Sequence, residues 1–477
     1  MNVRLVLTSS PLSMFERYGI FAGAANTQPA FALVCLAAVA KVAGSETTII
    51  DASAENLSTE QTLQKILALK PDILGITSTT VGITSAGNLA KLVKESSPNT
   101  IVIIGGCHAS ALPVDTLNEF KAFDLAVIGE GENTLLDILK SVDAKKQTPE
   151  RLQGTAHRSG TQVIVNEPRA LLQNLDELPL PAWSLLKGFP SSFQPSPGRI
   201  RRGPCASIVL TRGCPNSCTF CDRSVFGHRC RSYSPSYAIN LLKDLRYNHG
   251  VKEILIEDDT FIMSSTWVTE FCKMIISEEI DISWSCLGRA DRINSDLATT
   301  MKRAGCWHIS FGIESGDERL LKKTNKRLDI SQIRAAVECC RAANLRTKGF
   351  FMIGFPGESH ESIRLTRELS LSLPLNDISV MQLTPFPGTE IYANAHEYGQ
   401  FERDWRKMNT LNTVFIPNGF TKNDMEKARS DIIRAFYLRP NVIIDHLIET
   451  LHHPRLIVPM LKSIPPLFNV MSGKSND

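Results

Sequence analysis

The chain has 477 residues, 43% of them hydrophobic, enough for two or three domains that each bury their own core. Its 52 Lys and Arg stand against 49 Asp and Glu, a formal charge of +3 with no dense basic block, so nucleic acid is not an implied partner. The 12 cysteines lack the spacing of a disulfide framework and point to reduced thiols plus a metal site in a cytoplasmic protein.

Charged Arg4, Glu16 and Arg17 break up the N-terminus, so no secretory signal is read there. The longest early apolar run, "PAFALVCLAAVA" at 29–40, falls far short of the roughly 20 residues that cross a bilayer. Apolar runs at 3–8, 47–51, 72–78, 100–106 and 124–132 then alternate with helix-period stretches at 31–43, 58–70, 85–97 and about 132–142. That alternation predicts a doubly wound, Rossmann-like parallel sheet over residues 1–145, with ligands bound beyond the carboxyl ends of its strands. Those ends carry "TSSP" (8–11), Ser78, Thr79 and Thr80, then Gly105, Gly106 and His108, then Gly129 and Glu130.

No G-x-G-x-x-G follows the first strand, so a dinucleotide lacks its phosphate cradle. The Ser/Thr turn and the Gly-Gly turn instead resemble a cobalamin-binding domain, where such turns line a slot for the nucleotide tail. The resemblance makes Ser78, Thr79, Thr80, Gly105, Gly106, His108, Gly129 and Glu130 candidate cofactor contacts. The Asp-x-His-x-x-Gly loop that ligates cobalt from below in such domains is replaced here by "SSPLSMFERYG" at 9–19. A lower face without a histidine ligand is implied. His108, on another strand end, reads as a loop histidine bonded to backbone or to corrin side chains.

Residues 146–200 contain "PLPAW" (179–183) and "FPSSFQPSPG" (189–198), too proline-rich for a regular element, and read as a linker with Trp183 as a packing anchor. The strand "ASIVLTRG" (206–213) then leads into "TRGCPNSCTFCDRS" (211–224), which holds Cys214, Cys218 and Cys221. Three thiolates on one short loop can hold three corners of a compact metal centre. Structural zinc would want a fourth ligand; His228 and Cys230 are near, but no second pair stands out.

The Cys-x3-Cys-x2-Cys spacing, with Phe220 before the last Cys, resembles the radical S-adenosylmethionine (SAM) superfamily. In that family three cysteines hold a [4Fe-4S] cluster whose open iron chelates SAM. Further strands at 253–261, 282–291, 308–316, 348–358 and 378–390 make six β/α units with the cysteine strand, a partial TIM-type barrel over 201–400 with its site at the strand carboxyl ends. The resemblance gives Glu257, Asp258 and Asp259 to the SAM amino group, Arg289 to its carboxylate, Glu314 to the ribose, and Gly354 and Pro356 to the adenine. On the plainer reading Arg289 and Asp291 form a rim salt bridge, and the Gly-Pro turn merely ends a strand. The other nine cysteines read as small buried hydrophobes.

A cobalamin-like domain before such a barrel, with "IESGDERLLKKTNK" (313–326) and "PFPGTEIY" (385–392), resembles the cobalamin-dependent radical SAM enzymes over about residues 1–440. That branch holds methyltransferases acting on unactivated carbon and the anaerobic magnesium-protoporphyrin ester cyclase. The resemblance implies a methyltransferase with three cofactors: the [4Fe-4S] cluster, SAM and cobalamin. One SAM would methylate low-valent cobalt and a second would supply the radical. Its implied partners are a small-molecule substrate and a reductant such as flavodoxin or ferredoxin. No side chain is assigned as substrate acid or base. Cyclisation, ring contraction or oxidation without methyl transfer is the alternative; a non-catalytic cobalamin sensor comes from another class. Residues 401–477 read as a small helical domain, with a capping signature at Thr421 and Asp424 and an end at Pro440. Its apolar stretch 446–470 is either a helix seated on the barrel or a shallow membrane contact suited to an apolar substrate.

Overall fold

A computed structural model of the chain describes residues 3–19, 22, 28–145, 149–193, 199–454 and 457–471. Its first sheet contains β1 (Arg4–Ser9), β2 (Glu46–Ile50), β3 (Ile73–Thr77), β4 (Ile101–Gly105) and β5 (Leu125–Val127), all parallel, in the order β2-β1-β3-β4-β5. Helices Phe31–Val42, Thr59–Leu69, Ile83–Ser96 and Glu132–Lys145 join and cover them. Ser58 starts the second of these by accepting from Gln61 N while Gln61 reaches back to the Ser58 amide, so two orphan donors are satisfied together.

The expected linker does not begin at 146. Beyond β5 the sheet gains an antiparallel hairpin, β6 (Thr155–Ser159) and β7 (Gln162–Val165), with Ala126 opposite Ala156. The hairpin covers the free edge of β5, which would otherwise present unpaired backbone groups. The proline-rich part comes later and is folded down: Trp183, 1% exposed, stacks on Phe189 at 4.7 Å. Residues 194–198 of that stretch lie outside the described residues.

The second sheet is a six-stranded parallel barrel wall open along one side. Its strands are β8 (Cys205–Ile208), β11 (Glu253–Ile256), β12 (Ser283–Gly288), β13 (Cys306–Glu314), β14 (Arg346–Ile353) and β15 (Asp377–Gln382), with β8 and β15 at the two edges. Between β8 and β11, the short β9 (Thr211–Arg212) and β10 (Arg231–Ser232) pair antiparallel and pinch the cysteine loop at its base. Alternation with period two splits β14 cleanly: Thr347, Phe351 and Ile353 are buried, whereas Lys348, Phe350 and Met352 are only half-buried and face the lumen.

Residues 401–477 are not uniformly helical. A two-stranded ribbon pairs Gly399–Phe401 with Phe415–Pro417, and Trp405 and Met408 between them enter the core of the first domain. The Trp405 indole donates to Glu119 at 3.0 Å. Thr421 then caps the helix Lys422–Tyr437, with Asp424 completing the capping box, and Ile432, Ile433 and Phe436 pack on the barrel. Pro440 opens a further helix, Pro440–His452, at the position where its missing N–H costs nothing. Glu449 and Asp445 of this helix pair with Arg201 and Arg346, each at 2.6 Å, at the amino-terminal end of the barrel.

The two sheets are joined by a buried charge cluster. Arg212 on β9 binds Glu130 at 2.9 Å and Glu132 at 2.6 Å, and Arg231 on β10 binds Glu130 at 2.9 Å. These side chains are at most 8% exposed, so water does little to screen them. Glu130→Gln leaves the buried Arg231 without a carboxylate and Arg212 with Glu132 alone, and is expected to cost about 3 kcal/mol. A urea unfolding midpoint equal to that of the wild type would contradict the assignment.

Candidate active site

The ends of β1, β3, β4 and β5 surround an apolar slot of about 340 Å³, lined in part by Leu7, Phe31, Gly75, Gly105, Gly106 and Gly129 and closed on the far side by Val225 and Phe226 of the barrel. The glycines are what keep it open. Gly106 has φ of +102°, and a Cβ there would lie 2.5 Å from Ser78 O. Gly75 has no such φ, but its Cβ would meet Leu7 at 2.8 Å. Ser10 donates to Ser78 Oγ, which donates to Thr79 O, each at 2.8 Å, and fixes the Ser/Thr turn beside the slot.

His108 is buried, its Nδ1 3.3 Å from Thr80 Oγ1 and its ring set edge-on to Trp405 with centroids 4.9 Å apart. Burial lowers its pKa to about 4, and the charge of Arg403 adds to the effect, so the ring is neutral. Glu130 sits differently from the expected cofactor contact. Its carboxylate is used up by Arg212, Arg231 and the Leu172 amide. A fully paired buried carboxylate has little left to offer a ligand.

The cysteine loop faces the same gap from the barrel side. Gly213 starts it at φ +83°, where a Cβ would collide with Arg229 O at 2.4 Å. Asn216 donates to Cys214 Sγ at 3.2 Å, and Cys221 N donates to Cys218 O at 3.2 Å. A hydrogen bond from Cys221 draws the Cys218 pKa down to about 6 against the opposing effect of burial, and the charges of Lys326 and Arg289 add to the lowering. Among the described residues no three His, Cys, Asp or Glu side chains are gathered closely enough to hold a single ion.

Of the acidic trio, Asp258 and Asp259 both accept hydrogen bonds from the backbone at the base of the loop, Asp258 buried and Asp259 exposed. Asp258 is 0% exposed and accepts from Leu210 N at 2.7 Å; Asp259 accepts from Gly213 N at 3.1 Å. They brace the loop from below, which corrects the expectation that Asp258 touches a ligand: a side chain with no exposed surface cannot. Glu257 binds Arg199 and accepts from Gln28 at 3.3 Å. Arg289 is held by Asp291 at 3.0 Å and donates to the carbonyls of Lys326 at 2.9 Å and Arg327 at 3.2 Å, so it pins the turn beside the cysteines as well as forming the rim pair.

Glu314 ends β13 at φ +67°, after a register shift at Gly312, and binds Lys326 Nζ at 2.6 Å. A left-handed non-glycine residue at a bulge stores strain that the surrounding pair must hold. Gly312 makes room: a Cβ there would lie 2.5 Å from Glu314 Oε1. Lys326 was not singled out in the sequence; its nearness to the cysteines is produced by the turn at 324–327, where Thr219 N donates to Thr324 O. Gly354, at φ +97°, donates to Glu358 at 2.9 Å, which folds the "GFPGE" turn over buried Pro356. Phe220 packs on Phe355 with centroids 5.5 Å apart and lies under Lys326.

A second cavity, of about 800 Å³, lies between the domains, lined on one side by Thr79, Thr80 and Cys107 and on the other by Asp222, Lys348 and Ser379. Comparison with known proteins follows the same division. The radical SAM superfamily profile matches residues 208–369 and the B12-binding domain profile residues 19–139. An uncharacterized methyltransferase of Pyrococcus horikoshii is 32% identical over 442 residues, 92% of this chain and 94% of that protein. The chain belongs to the cobalamin-dependent radical SAM family. Among solved structures, the radical SAM methyltransferase TsrM from Kitasatospora setae, with cobalamin and a [4Fe-4S] cluster bound, aligns with a TM-score of 0.66 at 17% identity, over 83% of this chain and 75% of that one. The cobalamin-dependent SAM radical enzyme OxsB aligns with a TM-score of 0.74 at 16% identity, over 91% and 66%. At these identities the likeness is one of fold.

A [4Fe-4S] cluster, SAM and cobalamin are therefore the cofactors of this radical SAM enzyme. The residues present fit them. A glycine-lined apolar slot suits a nucleotide tail, and a thiol held near pKa 6 beside two cations suits thiolate ligation. Asp258 offers a test of the bracing. Burial pushes its pKa up to about 8, against hydrogen bonds from Leu210 and Thr211, so the folded protein holds it protonated while the unfolded chain ionises it near 4. Its contribution is complete below pH 4 and is lost as pH rises through 8. Asp258→Asn removes that loss, and its melting temperature relative to the wild type should rise between pH 6 and pH 8. A constant difference across that range would show that Asp258 is ionised in the fold.

Proposed function

We propose that this radical SAM enzyme transfers a methyl group to an unactivated carbon of a small molecule. The observation that carries the reading is a cavity between the two sheets, lined by Thr79, Thr80 and Cys107 of the first domain and by Asp222, one residue past the last loop cysteine, Lys348 and Ser379 of the barrel, while the buried cluster of Glu130, Glu132, Arg212 and Arg231 joins the two domains. Bound there, the cluster with SAM supplies a carbon-centred radical, and cobalamin supplies the transferable methyl.

Cys214, Cys218 and Cys221 are the proposed cluster ligands. Arg289 and Glu314 lie beside them with Lys326, in place to orient the carboxylate and ribose of SAM, while Gly354 and Pro356 leave backbone room for its adenine. Ser78, Thr79, Gly105, Gly106 and Gly129 would receive cobalamin. The buried ring of His108 would support that turn from behind, because its Nδ1 is engaged with Thr80. The apolar walls of the slot and the Phe220–Phe355 pair exclude water from both ends. A flavodoxin-like or ferredoxin-like reductant in the cytoplasm would deliver the electrons.

On anaerobically reconstituted protein given cobalamin, SAM and a strong reductant, S-adenosylhomocysteine should form beside 5'-deoxyadenosine. Cys218→Ala should lose iron and 5'-deoxyadenosine but keep its cobalt. Deoxyadenosine with no S-adenosylhomocysteine under any condition would move the reading to cyclisation or oxidation, and zinc in place of iron would overturn it.

The finer proposal on location concerns the tail. No described helix is long and apolar enough to cross a membrane. The helices Pro440–His452 and Ile457–Met471 nonetheless leave Leu447, Leu451, Leu461 and Phe468 between 59% and 76% exposed. Asp445 and Glu449 are turned inward onto Arg346 and Arg201, so the outer face is apolar without their acid charge. This supports peripheral contact with an anionic bilayer surface. Co-sedimentation with phosphatidylglycerol vesicles should be lost on Leu447→Glu with Leu451→Glu; wild-type protein that stays in the supernatant would end the idea.

A further inference from the structure

Among the described residues, most cations in and around the barrel are matched by a carboxylate. Arg199 binds Glu257, Arg201 binds Glu449, and Arg346 binds both Asp445 and Glu449. Lys348, on β14 and facing the lumen, has neither an ion pair nor a hydrogen bond among the described residues. Its nearest acid across the ladder is Asp377, directly opposite on β15. That carboxylate is already engaged: it accepts from Tyr437 Oη at 2.8 Å and lies 3.7 Å from His446 Nε2. The ammonium of Lys348 is left with the face of Phe350, 5.6 Å from the ring centroid. Burial pushes its pKa down, only partly offset by the charge of Asp377. Taking an ammonium out of water without a counter-charge is costly, and a fold keeps such a group where a ligand supplies the missing charge.

Lys348 lines the 800 Å³ cavity together with Ser379, Arg199 and Arg17. Asp222 is the one carboxylate among the described lining residues, and its Oδ1 accepts from Ser224 N at 2.9 Å. The lining also includes the apolar Val81, Phe386, Met408 and Leu411, with Met381 two residues beyond Ser379 on the same face of β15.

Resting on the reading of the cavity as the substrate chamber, we infer that the substrate is an amphiphile whose anionic head, a carboxylate or a phosphate, binds Lys348 in the barrel lumen while its apolar body lies against Met381 and Phe386. Lys348 is then a specificity-determining residue: it selects an anion-bearing molecule and fixes which end enters the barrel. Ser379, two residues along β15 from Asp377 and on the same face, is in place to donate a hydrogen bond to the same head.

The test is isothermal titration calorimetry on full-length protein loaded with cluster and cobalamin, using benzoate, phenyl phosphate and the neutral benzyl alcohol as probes. At least one anion should bind tenfold or more tightly than benzyl alcohol. The stronger of benzoate and phenyl phosphate tells a carboxylate site from a phosphate site. Lys348→Gln should weaken that anion at least tenfold, and Lys348→Arg should keep it within about threefold. Equal binding of the anions and benzyl alcohol, no anion binding, or an unchanged affinity in Lys348→Gln would each overturn the inference. The wild-type comparison of anion with neutral probe decides the matter even if Lys348→Gln does not fold. Iron, cobalt and deoxyadenosine formation in the same wild-type preparations report on the underlying function. If those fail while the anion binds, the methyl-transfer reading falls and the anion site stands.

Discussion

The buried cluster of Glu130, Glu132, Arg212 and Arg231 governs how the two halves of the molecule meet. The glutamates follow the last parallel strand of the first sheet, and the arginines sit on the two short strands that pinch the cysteine loop. The same four side chains therefore fix the position of the slot relative to the loop. Methyl transfer between two cofactors needs their reactive faces to share a volume, and a charge cluster removed from water resists sliding in a way that an apolar interface does not.

Within the barrel a second pattern recurs. Polar groups that line the strand ends are largely paired with one another. Glu314 holds Lys326, Arg289 holds the turn at 326–327, and Glu358 holds the Gly354 amide. The pairs place charge around the cysteines while leaving few uncompensated groups. Against that background the ammonium of Lys348 stands out, because among the described residues it has no carboxylate partner while Arg199, Arg201 and Arg346 on the same barrel each have one.

The tail serves both domains. Its first part lays Trp405 against His108 and donates to Glu119, behind the Ser/Thr turn, and its later helices close the amino-terminal end of the barrel through Asp445 and Glu449. One chain segment thus braces the rear of both cofactor-bearing faces. What the tail leaves outward is apolar, and this sets the enzyme apart from a simple pair of open sheets.

The sequence by itself determined the alternation of strands and helices, and singled out the carboxyl ends as the candidate site and the cysteine loop as the candidate metal position. Each of these is written in local pattern: a period of two or 3.6, a glycine pair, three thiols on one short loop. Tertiary structure alone decided which polar residues are free to act. Glu130 read as a cofactor contact and proved to be half of an interdomain ion pair, because its partners lie more than 80 residues away. Asp258 read as a ligand contact and proved to be a buried brace, because its partner Leu210 comes from the segment between β8 and β9, 48 residues away. The hairpin at 155–165 was hidden ahead of the proline-rich stretch, since an edge strand needs only a partner edge and no strong pattern of its own. Lys326, although it closes the stretch at 313–326, Lys348 and Gly75 carried no assigned role. What distinguishes them is which charges, ladders and side chains surround them, and that is settled only when distant segments pack.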